Sequence, residues 1–398
     1  MYLRNKCLYM QEQGWEVDLI SAQKGPVLIP ELKKYDLFIP ELGFCVYLFP
    51  KKIRERIIKS ILDRILYEKY DEIVFESSCL SECTWAEEVA EQCKARHLCF
   101  ILQEYTPVSS EVEKEFFKFK YKRHELAGIV QKSLYSMFLP FWPIKMENSY
   151  FLTAHCNNVV EEIGSEITDS INTDCYDYII GCLSRLDKPF VVPALTDFIK
   201  YVEKHLKKKY LLLLIGGAPE GTAFGKNLRR MFKGIENVEL KITGFLYPVP
   251  AKLLEKCDVF ITSAGSAWVC TRAGVPTISY DTNDLHPIGI LGRTTKSSVM
   301  RNADEPVVEL SLLLDDILER KIFKKDPPCH RFGKPDFCLH DKFLSEMSQK
   351  KEYYSFKNAS LSLTERILSI LLRVVGAENY YKLGEVKRNI LNRKTSDR

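Results

Sequence analysis

The stretch Asp258–Asp281, DVFITSAGSAWVCTRAGVPTISYD, constrains the fold of this chain more than any other. Val259–Thr262 is a short apolar run of the kind that forms a buried strand. Ser263-Ala264-Gly265-Ser266-Ala267 follows, with no side chain larger than a hydroxymethyl. Trp268–Ala273 is helical in pattern and closes at Gly274 and Pro276, and Thr277–Tyr280 is a second strand. Strand, small-residue turn, helix and strand make one βαβ unit. So small a turn lets a ligand reach the backbone, and free N–H groups at a helix start attract phosphate.

The rest of the second half repeats the alternation. Tyr178–Leu183 leads into Ser184–Pro189, and Tyr210–Ile215 leads into Gly216-Gly217-Ala218-Pro219. Val238–Thr243 leads into Gly244-Phe245-Leu246-Tyr247. Helical patterns over 195–205, 225–232, 251–256 and 310–319 separate and follow these strands, and Asn283–Thr295 is expected as a glycine-punctuated loop over a site. Such alternation predicts an α/β protein with a parallel sheet covered on both faces.

In the first half, strands are expected at Trp15–Ser21, Tyr35–Pro40, Asp71–Glu76, His97–Tyr105 and Tyr150–Thr153. Helices are expected at Met1–Gln13, Lys51–Tyr70, Ser81–Arg96 (Ser81 as its N-cap) and, briefly, Asn157–Ile163. A doubly wound domain opens with a strand and a glycine turn, whereas here a helix comes first. The N-terminal sheet is therefore expected to be weakened, either because the chain begins late or because this half is unconventional. Polar, aperiodic Gly164–Asp177 is expected as a linker. The expected boundaries are 1–165, 176–325 and a C-terminal segment, 326–398, of helices and a basic tail. Ser362–Val375 is amphipathic, with Leu363, Ile367, Leu368, Leu371 and Leu372 on its apolar side.

With 398 residues the chain suits two domains. A net charge of +4 argues against nucleic acid as the main partner, and no run nears the roughly 18 apolar residues of a membrane span. No apolar signal segment opens the chain, and its 13 scattered cysteines suit reduced thiols in the cytoplasm. Residues 111–145 interleave basic and aromatic side chains, including Phe116-Phe117-Lys118-Phe119-Lys120 and Leu139-Pro140-Phe141-Trp142-Pro143. With the basic tail from Lys382, they are the expected contact with an anionic membrane surface. The pairs Cys329-His330 and Cys338/His340 match no standard zinc spacing, so no metal site is expected.

SRLDK, LLIGGAP, the strand ending Gly244-Phe245 and CDVFITSAGSA…AGVPTISYD occur in one order. That order resembles the donor-binding domain of GT-B glycosyltransferases of the family 4-like group. QGWEVDLIS, DEIVFESS and LCFILQEYTP resemble strands of the acceptor domain. The resemblance covers most of residues 1–320. It implies two Rossmann-like doubly wound domains facing a cleft, with C-terminal helices packing back on the first. It also implies metal-independent transfer of a sugar from a nucleotide-diphosphate sugar to a glycan or lipid-linked acceptor at the inner face of the membrane. Arg185 and Lys188 suit a diphosphate clamp, and Gly216 and Gly217 allow close backbone approach. Phe245 and Leu246 fall in the nucleobase loop. Ser263, Gly265, Ser266 and Ala267 would line phosphate or ribose, and Asp284 and His286 would meet sugar hydroxyls. Glu104 is the first candidate for acid or base, ahead of Glu76, His124, Glu125 and His155.

The departures from that family are specific. Its pair of glutamates seven residues apart is missing, since no Glu lies between Asp258 and Asp281, and Cys182 stands where an arginine is usual. The small-residue turn is closer to the epimerase and lipid-intermediate branches. A nucleotide-sugar epimerase and a non-catalytic partner subunit are the alternative expectations.

Overall fold

The structure, a computed structural model, describes residues 1–22, 27–35, 37–102, 108, 110–129, 150–218, 224–329 and 335–384. The chain divides into two compact units, one made of residues 3–155 with 335–398, the other of 156–334 with the first two residues.

In the first unit α1 (Tyr2–Glu12) is followed by β1 (Ile20–Ser21), which pairs in parallel with β2 (Leu37–Phe38). α2 (Lys51–Ile65), β3 (Val74–Ser77), α3 (Leu80–Cys93), β4 (Arg96–Ile101), α4 (Glu111–Lys122) and β5 (Leu126–Gly128) come next. β3, β4 and β5 form a parallel sheet in that order, and Phe151 adds one parallel bridge beside β5. α3 begins after Cys79 rather than Ser81, and no side chain caps it.

The polar centre of this unit lies under α3. Glu87, His97 and Lys120 are all buried. Burial alone would raise the Glu87 carboxyl, but Lys120 at 2.9 Å and the His97 ring at 2.7 Å outweigh it and hold the group at about 2. Lys120 also donates to Glu125 and to the His97 carbonyl. Each buried charge is thus matched, as a low-dielectric interior requires. Phe116 and Phe117 enter the same core, and Lys114 and Lys118 pair with Glu111 and Glu115. The expected membrane-facing character of 111–123 is therefore corrected: the aromatics of α4 are packing residues. The remainder of that excursion, 130–149, lies outside the described residues.

The second unit begins with β6 (Val160–Glu161), α5 (Glu166–Asp169), β7 (Tyr178–Leu183), α6 (Val191–Val202) and β8 (Tyr210–Ile215). It continues through α7 (Phe224–Met231), β9 (Val238–Ile242), β10 (Val249–Pro250), α8 (Ala251–Glu255) and β11 (Val259–Thr262). α9 (Ala264–Arg272), β12 (Thr277–Tyr280), β13 (Pro287–Ile290) and α10 (Leu310–Leu314) complete it. Its six-stranded sheet has the order β13-β12-β11-β7-β8-β9. All neighbours are parallel except the edge strand β13. Numbered along the chain, these strands run 3-2-1-4-5-6, the doubly wound arrangement with its reversal between β7 and β11. All residues of β8 are buried, since both sheet faces are covered.

Three expectations change here. Asn157–Ile163 is not helical: β6 within it pairs in parallel with β10. The expected linker contributes Ile167, Ile171 and Tyr176 to a core. The expected loop 283–295 contains β13, whose proline sits at the first position of an edge strand, where a missing N–H costs nothing.

The C-terminal helices α11 (Cys338–Glu346) and α12 (Leu363–Val375) pack on the first unit. Phe356, Leu372 and Ala377 join the core around Val46, Trp85 and Phe116.

Candidate functional site

Open α/β sheets bind ligands outside the carboxyl ends of their strands, at the point where strand order reverses. Here that point lies beyond Leu183 of β7 and Thr262 of β11. The donor-site expectations from 184–188, 216–217, 244–246, 263–267 and 281–286 all follow the carboxyl ends of β7, β8, β9, β11 and β12. One edge of one sheet therefore gathers them.

Hydrogen bonds tie that edge together. Thr262 donates its hydroxyl to the Leu183 carbonyl at 2.7 Å, and Leu186 N–H donates to Gly217 O at 3.0 Å. Gly216 has φ +151°, and a Cβ there would stand 1.8 Å from the Ser184 carbonyl oxygen. Gly216 also bridges Gly244, whose φ is +75°. The two glycine turns thus lie against each other, and it is the Ser184 carbonyl beside Gly216 that leaves no room for a side chain there.

Arg185 is exposed, with Nε 3.2 Å from Asp187. Lys188 is largely withdrawn from water. That burial, assisted by the Arg185 charge, lowers its ammonium pKa. An anion placed here would reverse both effects. The Ser184 hydroxyl beside them is buried, with no hydrogen-bond partner among the described residues. Sequence reading passed over it, although its place directly after a central strand was a usable signal.

The helix α9 starts earlier than expected, absorbing Ala264–Ala267 into its first turn. Ala264 takes a left-handed φ of +57°, and its N–H goes to Ser298 O. Ser263 does not cap the helix; its hydroxyl donates to Tyr280 O at 2.9 Å. The proton of this hydroxyl is thus taken by strand β12, while Ser263 stays at the start of the turn expected to line phosphate or ribose. Helix geometry leaves the Gly265 and Ser266 N–H groups without intrahelical acceptors. Asn157 and Cys156 approach Gly265, where an added Cβ would lie 3.3 Å from the Asn157 side-chain oxygen. Ala267 is fully buried.

Phe245 is half-exposed, its ring within 9° of parallel to that of Tyr247, with centroids 6.5 Å apart. Leu246 is partly buried, packed against the core that contains Leu253 and Leu254 of α8. Asp281 is buried and accepts the N–H groups of Asn283 and Arg301, each at 2.7 Å. Asp284 is engaged by the Arg301 guanidinium at 2.8 Å, and His286 is exposed. Arg301 was not foreseen, since nothing local in the sequence marks it.

Glu104 lies outside the described residues. Glu76 stands 4.0 Å from Lys6, and His124 stacks on Phe343 with centroids 4.2 Å apart. Glu125 is buried against Lys120 and Arg123, and His155 packs edge-on to Phe337. His340 bonds the Thr153 carbonyl at 3.0 Å, and His330 is not among the described residues. No cluster of three metal-ligating side chains occurs among the described residues. No helix there is long and apolar enough to cross a membrane.

These observations define a doubly wound α/β protein with glycine turns, Arg185 and Lys188 along the carboxyl edge of its sheet. No protein-family model matches the chain, and no curated protein matches it. Among solved structures, Anabaena HepE in complex with UDP and glucose is similar at 11% identity, with a TM-score of 0.45, over 96% of this chain and 88% of that one. The Methanocaldococcus jannaschii UDP-GlcNAc 2-epimerase in complex with UDP-GlcNAc and UDP is similar at 12% identity and TM-score 0.32, over 79% of this chain and 86% of that one. S. aureus TarM is similar at 12% identity and TM-score 0.36, over 58% of this chain and 45% of that one. Likeness at this level establishes neither a family nor an activity for the chain.

Proposed function

We propose that residues 156–334 bind a nucleotide-diphosphate sugar at the carboxyl edge of the six-stranded sheet, in a GT-B architecture. The chain transfers the sugar, without a metal ion, to a glycan or lipid-linked acceptor at the cytoplasmic face of a membrane. One observation supports this reading: Arg185, Lys188 and the α9 N-terminus follow the two strands of the topological switch point, β7 and β11, and the glycine turns after β8 and β9 lie on the same edge of the sheet. Departure of a nucleoside diphosphate leaves negative charge on phosphate oxygens. Two cationic side chains and two oriented N–H groups supply compensating charge already in place, which lowers the barrier without reorganisation. Phe245 and the backbone at Leu246 offer an apolar face and polar groups to the base.

Titration calorimetry with UDP, GDP and CMP tests the reading. Binding of one nucleotide, lost in Arg185→Ala, supports it; no heat from any of them removes it. UDP is the first to try, because HepE and the epimerase were solved with uridine nucleotides. The small-residue turn Ser263–Ala267 favours a second reading as an epimerase, and the absence of Glu from Asp258–Asp281 favours a non-catalytic subunit. Incubation with the nucleotide sugar alone separates them, since only an epimerase yields a new nucleotide sugar without an acceptor. A non-catalytic partner subunit would turn over neither and would co-purify with a transferase.

A further inference from the structure

Helix α12 docks by a mixed face, on which Leu368 and Leu372 sit with Glu365 and Ser369, so that only part of its apolar side is covered. Ser362 and Glu365 form a capping box at its start. The Tyr47 hydroxyl donates to Glu365 at 3.2 Å, and the Ser369 hydroxyl donates to the Leu48 carbonyl at 2.7 Å. Of the apolar positions only Leu368 and Leu372 turn inward.

The opposite face is a stripe of exposed apolar side chains. Leu363 is 76% exposed, Ile367 52%, Ile370 58%, Leu371 41% and Val374 79%. Their spacing places them on one continuous side of the helix. Arg366 and Arg373, seven residues apart and both exposed, fall along one border of that stripe. Further on, the sequence from Lys382 to Arg398 holds Lys382, Lys387, Arg388, Arg393, Lys394 and Arg398 against Glu385 and Asp397.

We propose that α12 is an interfacial helix that lays this stripe into the surface layer of an anionic lipid bilayer. Charge selects the occupant. A second copy packed antiparallel through this stripe would set one arginine border beside the other, and in either direction it would bring no free acidic side chain of α12 to meet them, since Glu365 is committed to Ser362 and Tyr47. The chain's own tail carries the same sign as Arg366 and Arg373, so it is not the complement either. A bilayer with acidic headgroups answers both features: acyl chains accept the Leu, Ile and Val side chains, and arginines reach outward to phosphate. Each basic residue near such a surface adds about fivefold to partitioning. Of the expected contact at 111–145 and the basic tail, the packed aromatics of 111–123 drop out, and α12 is added to it. This inference stands apart from nucleotide binding and does not need it.

The test is vesicle co-sedimentation of the full chain, with phosphatidylcholine alone and with mixed phosphatidylcholine–phosphatidylglycerol vesicles. Binding is expected to the mixed vesicles and to weaken with added salt. The double variant Ile370→Glu/Val374→Glu is expected to lose at least about tenfold, and Arg373→Glu about tenfold. Both keep the parent melting temperature, because these side chains are exposed. No sedimentation with anionic vesicles overturns the proposal. So does unchanged binding by the double variant, which would assign the contact to the tail alone. Concentration-dependent dimerisation abolished by the double variant, without vesicle binding, would assign the stripe to a second copy.

Discussion

Gly216 stands against the carbonyl of Ser184 so closely that an added Cβ would lie 1.8 Å from its oxygen. The obstacle is backbone of the neighbouring strand end and cannot rotate away. The φ of +151° at this position also disfavours any L side chain. Gly216→Ala is therefore expected to cost several kcal/mol, read as a fall in denaturation midpoint. Gly217→Ala is the control: its Cβ would meet Phe245 N at 3.4 Å, an ordinary contact. That variant should fold normally and weaken nucleotide binding, if a ligand lies against this turn.

Arg185 separates binding from folding. Its side chain is 65% exposed and, among the described residues, pairs only with nearby Asp187. An exposed pair contributes little, so Arg185→Ala should change stability by less than about 0.5 kcal/mol. Loss of charge-assisted hydrogen bonds to a diphosphate would cost about 1.5–3 kcal/mol, roughly tenfold to hundredfold in affinity by calorimetry. Unchanged affinity would take Arg185 out of the site.

Lys188 predicts the pH dependence of binding. Burial and Arg185 lower its pKa in the free protein, whereas a bound diphosphate favours the charged form and raises it. Binding then takes up a proton wherever Lys188 is neutral in the free protein. Affinity should fall as pH rises through the lowered pKa, and Lys188→Met should flatten that slope. Calorimetry in buffers of different ionisation enthalpy measures the proton uptake directly.

Glu87 and Lys120 govern the acid limit of the first unit. The folded-state Glu87 pKa of about 2 lies below its ordinary 4.5. Its contribution is complete above 4.5, fades as pH falls and is gone below about 2. Lys120→Met would leave Glu87 and Glu125 buried without their shared cation, at a cost of about 3–5 kcal/mol. Urea unfolding of the parent and the variant across acid pH checks both statements. A variant as stable as the parent would show that water already reaches the pair.

The central strands were legible because a strand buried on both faces is a continuous apolar run. Tyr178–Leu183, Tyr210–Ile215, Val259–Thr262 and Thr277–Tyr280 occupy the same residues in the sequence reading and in the structure. Glycines after β8 and β9 marked the turns of the candidate site for the same local reason. β6 was not legible, because its two residues owe their conformation to Val249–Pro250, far along the chain. Nor was the capture of the Ser263 hydroxyl by Tyr280 O, or of Asp284 by Arg301, each of which joins different loops.

Local pattern therefore determined which segments are strands and where small residues leave room for a ligand. Tertiary structure decided strand order, and hence that five separate loops meet at one edge. It also decided which face of α12 is covered. Amphipathic spacing says only that a helix has two unlike sides. Tyr47 and the Leu48 carbonyl hold the side carrying Glu365 and Ser369, and that choice left Ile370 and Val374 in water.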